Sequence, residues 1–189
     1  AGLDSDGNLH VVWTAPGMST WVVSDLTTLT GGAPRTGGLS VYQTPWGGIN
    51  LAGVDRDGNT VVTWWVPTFG SFWRNDDLTA ITGGPQMRSN SLTAYVTPWG
   101  ALNVAGLDHS GNMLVYWWTP GMPAWIASPI DVGALDNRST DFRTTPSQRL
   151  SSSASVDGTT NIFWTGSFGE ISRLHWRPGQ AWWQVESVG

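Results

Sequence analysis

The stretch AGVDRDGNTVVTWWVP, residues 52–67, decides how this chain is read, because it occurs again. Residues 105–120 are AGLDHSGNMLVYWWTP, residues 1–16 are AGLDSDGNLHVVWTAP, and a looser fourth copy surrounds Gly169. With Gly7, Gly58, Gly111 and Gly169 as register marks, the copies are spaced 51, 53 and 58 residues apart. Six residues after each mark stand Trp13, Trp64, Trp117 and His175, and seven after stand Thr14, Trp65, Trp118 and Trp176. Nine after comes Pro16, Pro67, Pro120 and Pro178, and fourteen after an aromatic, Trp21, Phe72, Trp125 and Trp183. Self-similarity at a fixed period of this length means one supersecondary unit stacked on copies of itself.

Within the second copy, the spacing predicts strands over 39–44, 49–54, 60–66 and 72–76, separated by turns at Pro45-Trp46-Gly47-Gly48, at Asp55–Gly58 and at Pro67–Ser71. Asp-Gly between apolar runs is a hairpin signal, since glycine accepts the positive φ of a tight turn. The third copy repeats the pattern over 92–97, 102–107, 113–119 and 125–127, with its own Pro98-Trp99-Gly100 turn. The third strand, Val61, Val62, Trp64, Trp65 and Val66, is apolar on both faces and needs cover on both. No segment holds a 3.6-residue apolar period long enough to predict a helix.

Four antiparallel strands per unit at this period predict an all-β fold, a β-propeller of four-stranded blades. The 189 residues then form a single domain with repeats at about 1–38, 39–91, 92–149 and 150–189, the first a partial blade. The first copy enters in the middle of its second strand, so the expected count is about 15 strands. Three solutions stay open: a four-bladed ring with one incomplete blade, part of a larger ring, or two chains forming an eight-bladed ring. The links Leu26–Pro34 and Leu78–Pro85 share Thr-Gly-Gly, and the third link, 131–148, is longer and more polar and reads as an irregular loop.

Composition narrows the functional classes. Charged residues make up 12%, against 14 Trp and 24 Gly, which suits short strands and tight turns. A net charge of −5 argues against a nucleic-acid surface, and no apolar run approaches the ~18 residues of a membrane span. With no cysteine there is neither disulfide nor thiolate chemistry. The start at Ala1, without a Met or signal peptide, reads as a mature product, an excised domain or an engineered chain. Asn137-Arg138-Ser139 is a glycosylation sequon.

The last copy carries a resemblance. Asn161-Ile162-Phe163-Trp164, Gly169, Leu174-His175-Trp176 and Ala181-Trp182-Trp183-Gln184-Val185-Glu186 follow one another. This resembles the Trp-rich repeat of bacterial and fungal β-propeller lectins, particularly the seven-bladed fucose-binding type. The resemblance implies a sugar-binding propeller, multivalent and secreted, and assigns no individual binding residue.

In a four-stranded meander the first and third turns emerge on one face of the ring. Trp46 and Trp99 should therefore share a face with Trp21, Trp73 and Trp125, close to Asn50, Asn103 and Asn161, each eight residues before its register glycine. A saccharide packs its C–H face on an indole and pairs its hydroxyls with fixed amides, so these eight residues are the candidate ligand site. The competing expectation is that Trp64, Trp117 and Trp176 pack between blades, that the asparagines cap their own turns, and that the propeller is structural, binds protein, or is an excised or engineered fragment. Asp4-Ser5-Asp6-Gly7-Asn8 and Asp55-Arg56-Asp57-Gly58-Asn59 look like half of a calcium loop but lack the downstream Glu, so plain hairpin turns are expected. His10, His109 and His175 have no metal-ligand spacing, Asp76 and Asp77 point to opposite faces of one strand, and Ser151–Ser153 have no adjacent base. The expectation is a non-enzymatic, cofactor-free, extracellular saccharide or glycoconjugate binder, with a homodimer completing a larger ring as a further partner.

Overall fold

The structure is a computed structural model that describes residues 1–70, 72–135, 149–165 and 169–188. Its strands form four separate antiparallel sheets, each a meander. Blade 1 has three strands, β1 (Gly2–Leu3), β2 (Leu9–Trp13) and β3 (Val22–Asp25), followed by helix α1 (Leu26–Thr30). Blade 2 comprises β4 (Ser40–Gln43), β5 (Ile49–Val54), β6 (Thr60–Trp65) and β7 (Arg74–Asp77), then α2 (Leu78–Thr82). Blade 3 comprises β8 (Thr93–Val96), β9 (Leu102–Leu107), β10 (Met113–Trp118) and β11 (Ile126–Ile130), then α3 (Val132–Leu135). Blade 4 comprises β12 (Ser151–Ala154), β13 (Thr160–Thr165), β14 (Ile171–Trp176) and β15 (Gln184–Ser187).

The blades stack face to face, with the innermost strands β4, β8 and β12 adjacent and Thr93 Oγ1 2.8 Å from Ser152 Oγ across that line. The doubly apolar third strand is explained by this stacking. On β10, Leu114 and Tyr116 face blade 2 and pack with Tyr42, Ala52, Val54 and Val62. Met113 and Val115 face blade 4 and pack with Ile162, Trp164 and Leu174. Burying such side chains on both sides of a strand stabilises by roughly 1.5–3 kcal/mol each, and no two-layer sandwich offers that cover to an inner strand.

The turns follow the register read from the sequence. Gly7, Gly58, Gly111 and Gly169 all have φ between 84° and 87°. The first three hairpins are closed by an aspartate: Asp4, Asp55 and Asp108 each accept from the backbone N–H and side-chain amide of Asn8, Asn59 and Asn112. Their carboxylates are thus engaged by the turn's own donors, and His10 on Asp4 helps hold that carboxyl well below the usual range.

Two expectations need correction. The blade links are not helix-free: α1 and α2 each make about one turn, N-capped by Asp25 and Asp77 and closed by Gly31 and Gly83 with φ of 65°. Five residues are too few to display helical periodicity, and capping supplies what length does not. The aromatic register also slips in blade 2. There Val62 pairs with Asp76, whereas in blade 3 Val115 pairs with Ser128, so the third turn of blade 2 is one residue longer. A 3₁₀ turn at Pro67–Phe69 holds the extra residue, leaving Phe72 74% exposed while Trp73 takes the inward place. The third link opens with α3, and its remainder, including the Asn137 sequon, lies outside the described residues.

Candidate functional site

The constant prolines and the Pro-Trp-Gly turns meet. A Cβ built on Gly47, Gly100 or Gly158 in the first turn of blades 2, 3 and 4 would touch Pro67, Pro120 or Pro178 in the third turn of the same blade. First and third turns therefore share one face. The tryptophan of that first turn reaches across to the next blade. Trp46 lies against Gly100 and meets Trp118 edge-on, with ring centroids 6.2 Å apart at 75°. Trp99 repeats this with Gly158 and Trp176, at 6.2 Å and 71°. The glycine is favoured by its positive φ at both positions, and at Gly158 a Cβ would also stand 2.5 Å from the Trp99 ring.

Under each bridging indole lies a cavity between blades. The cavity between blades 2 and 3 holds about 400 Å³ and is lined by Trp46, Trp64, Trp118, Trp125, Asn50 and Asp76 among others. The one between blades 3 and 4 holds about 320 Å³ and presents Trp99, Trp117, Trp176, Trp183, Asn103 and Ser128. Both fall in the size range of small-molecule sites. Each therefore has a bridging indole from the first turn, an indole from the third strand of the near blade, and two indoles from the far blade.

Four of the eight indole N–H groups are held by hydrogen bonds. Trp64 Nε1 donates to Asp76 Oδ2 at 2.8 Å and Trp117 Nε1 to Ser128 Oγ at 3.0 Å. Trp118 Nε1 donates to the Met122 carbonyl at 3.1 Å and Trp176 Nε1 to the Gln180 carbonyl at 3.0 Å. These bonds fix ring orientation before any ligand arrives and leave ring faces available for contact.

Of the eight expected site residues, five converge. Trp46, Asn50 and Trp125 line the first cavity, and Trp99 and Asn103 the second. Asn103 also donates from Nδ2 to its own turn at the Ala101 carbonyl, 3.0 Å, so it caps and lines at once. The other three lie elsewhere. Trp73 packs with Leu9, Leu26 and Leu51 between blades 1 and 2 and tilts against Trp65 at 6.4 Å. Trp21 stands in blade 1 where Trp125 stands in blade 3 and is 67% exposed. Asn161 is buried beside His175 on blade 4 and donates to Ser153 Oγ. Blade 4 carries Asp157 in the turn position of Trp46 and Trp99, and that carboxylate accepts from Thr159.

Sequence reasoning assigned Trp64, Trp117 and Trp176 to packing and left Trp118 and Trp183 out of the site. All five line the cavities, because a residue wedged between two blades can pack on one side and face a void on the other. The recurring double Trp of the third strand was the signal, since neighbours on a strand face opposite blades. Among the described residues no group of three or more side chains could hold a metal ion, and no helix is long and apolar enough to cross a membrane.

No protein-family model matches the chain, and no curated protein sequence does. Solved structures do share its fold. The BP39L lectin of Burkholderia pseudomallei superposes with a TM-score of 0.69 at 16% identity over 99% of this chain and 50% of that one. The Aleuria aurantia lectin, described as a six-bladed β-propeller with a novel fucose recognition mode, gives 0.64 at 19% over 99% and 58%. AofleA of Arthrobotrys oligospora gives 0.59 at 13% over 82% and 41%. The chain thus has a β-propeller blade architecture and spans about half the length of these proteins. The Aleuria protein is six-bladed, whereas the sequence resemblance singles out the seven-bladed type.

Proposed function

We propose that this chain is a non-enzymatic saccharide-binding propeller segment, with one site in each of the two tryptophan-lined cavities. One observation carries the reading: four indoles and an asparagine converge on a small-molecule-sized cavity twice, at equivalent positions. A solvent-open cleft of this size, mostly apolar and aromatic with a few convergent polar groups, has the character of a small-molecule site. Each indole–sugar stack contributes on the order of 1 kcal/mol, by analogy with ring pairs, and the asparagine amides supply both donors and acceptors for hydroxyls. The Aleuria lectin's described recognition of fucose makes methyl-fucoside the first ligand to test. Single sites of this kind are weak and gain by avidity when several are carried on one ring. Glycoconjugates displayed outside the cell are the partners that fit, and an extracellular location belongs to the same proposal.

A second partner is a further copy of the chain, which would complete a ring. Position five after the register glycine is covered by the preceding blade at Tyr116 and Leu174, but in blade 1 it is Val12, 55% exposed beside Val23 at 66%. Light scattering gives the molar mass that decides this point.

The test of the sites is a glycan array together with quenching of tryptophan fluorescence by monosaccharides. Trp46→Ala and Trp99→Ala should each remove one site while lowering stability by about 2–3 kcal/mol, the edge-on ring pair plus the apolar area that these half-buried indoles cover. Silence across a broad array, or unfolding of both variants, would leave the tryptophans as blade packing.

A further inference from the structure

We propose that the cavity between blades 2 and 3 selects a ligand bearing an alkylammonium group, and that the cavity between blades 3 and 4 does not. The inference rests on reading both cavities as ligand sites, and deepens it by separating what each accepts.

The two cavities match indole for indole and differ in the partner of the near-blade tryptophan. In blade 2 that partner is Asp76, in blade 3 Ser128 and in blade 1 Ser24, which accepts from Trp13 Nε1 at 3.1 Å. Serine therefore satisfies the indole N–H at two of the three equivalent positions, at 3.0 and 3.1 Å against 2.8 Å for the carboxylate. The hydrogen bond does not require a charge. Asp76 nevertheless brings one into a wall made largely of tryptophan, valine, leucine and proline, and among the described residues no Lys, Arg or His lines that cavity. Partial burial of a carboxylate costs free energy unless an opposite charge offsets it.

The nearest cation along the strand is Arg74. Its guanidinium lies over the Phe69 ring, 5.4 Å from the centroid, and the ion pairs of the described residues do not join it to Asp76. A cationic ligand would fill that role. Indole faces attract ammonium groups through the ring quadrupole, and Trp is the strongest of the aromatic partners. Trp46, Trp64, Trp118 and Trp125 around one carboxylate thus form a cage suited to a positive centre of a few ångströms. The neighbouring cavity has the same rings but no charged residue among the described residues that line it, so a cation there has ring attraction alone and binds more weakly. An amino sugar and a quaternary ammonium headgroup share the required chemistry, and the test separates them.

The intact chain is titrated with glucosamine hydrochloride, choline chloride and the neutral methyl glucoside by calorimetry and tryptophan fluorescence, at ionic strength matched with sodium chloride. Binding of glucosamine or choline at one site per chain is expected, with the tighter of the two naming the source. Asp76→Ser should weaken the cation about tenfold or more, as loss of a charged hydrogen-bond partner does, and leave methyl glucoside binding in the cavity between blades 3 and 4 unchanged, while Ser128→Asp should raise the cation stoichiometry from one to two. Asp76→Asn, which keeps an acceptor for Trp64, carries the test if the serine variant unfolds. Cations that fail to bind, or that bind Asp76→Ser and Asp76→Asn as well as the parent, overturn the proposal. Neutral glycosides bound in both cavities with no cation bound would leave the saccharide reading standing and sink this one; cations bound with no neutral sugar bound would do the reverse.

Discussion

The junction between blades 1 and 2 and the junction between blades 2 and 3 use the same positions with opposite chemistry. In the second, Met87, Tyr116 and Ala127 form an apolar plug, and Tyr116 donates its hydroxyl to the Pro85 carbonyl at 2.8 Å. In the first, the equivalent residues are Arg35, Thr63 and Asn75. The buried Arg35 guanidinium donates to the Leu51 carbonyl at 3.2 Å, to Thr63 Oγ1 and to Asn75 Oδ1. Burial pushes the Arg35 pKa down to about 10, and the charge of Asp55 works against that shift. A blade interface thus accepts either solution, and at the Arg35 junction most buried donors find an acceptor, with Arg35 Nε left without one. What the repeat holds constant is the rim of proline, glycine and indole, and the junctions beyond blade 2 carry both a bridging indole and a cavity.

Deleting the centre of each plug gives the largest expected contrast. Tyr116→Ala should cost about 4 kcal/mol, as large-to-small changes in packed cores do. Arg35→Ala should cost about 2 kcal/mol, because it leaves Thr63, Asn75 and the Leu51 carbonyl short of partners. Urea denaturation of both variants checks the order, and equal costs would mean that the two junctions are not built on different terms.

Next is the seat of the bridging indole. Gly158→Ala places a methyl 2.5 Å from the Trp99 ring at a φ of 85° and should destabilise by about 2 kcal/mol. Gly17→Ala, at a φ of 88° but with open space around it, should cost about 1 kcal/mol, backbone strain alone. Thermal melts compare the two, and ligand binding in the blade 3/4 cavity should suffer only in the first.

A smaller effect separates blade 4 from blade 3. His175 stands where Trp117 stands, and burial, assisted by the charge of Arg173, lowers its pKa from the ordinary 6.5. The unfolded chain then takes up this proton more readily, so stability should fall as pH drops below about 6.5. His175→Trp should flatten that part of the Tm-against-pH curve, and an unchanged slope would assign the dependence to other groups.

Much of this was legible from residue types. Asp-Gly pairs marked the hairpins, the period marked the blades, and Trp46, Trp99, Trp125, Asn50 and Asn103 were placed by strand direction alone. Other features depend on contacts that no local pattern encodes. The extra residue before Trp73 is absorbed by a 3₁₀ turn, so counting from Gly58 pointed to Phe72 instead. The one-turn helices owe their form to the aspartate caps Asp25 and Asp77 and to the burial of Leu26 and Leu78. The double role of Trp64 and Trp117 follows from the spacing between blades, which is a property of the stack. Arg35 reads as a polar link residue until blade 2 folds around it.

The most direct measurement is a crystal structure of the chain soaked with the monosaccharide that quenches its tryptophan fluorescence most strongly. Sugar density should lie in both cavities, against Trp46 and Trp118 in one and Trp99 and Trp176 in the other, within hydrogen-bond reach of Asn50 and Asn103. Sugar bound only outside these cavities, with both left empty at saturating concentration, would contradict the account.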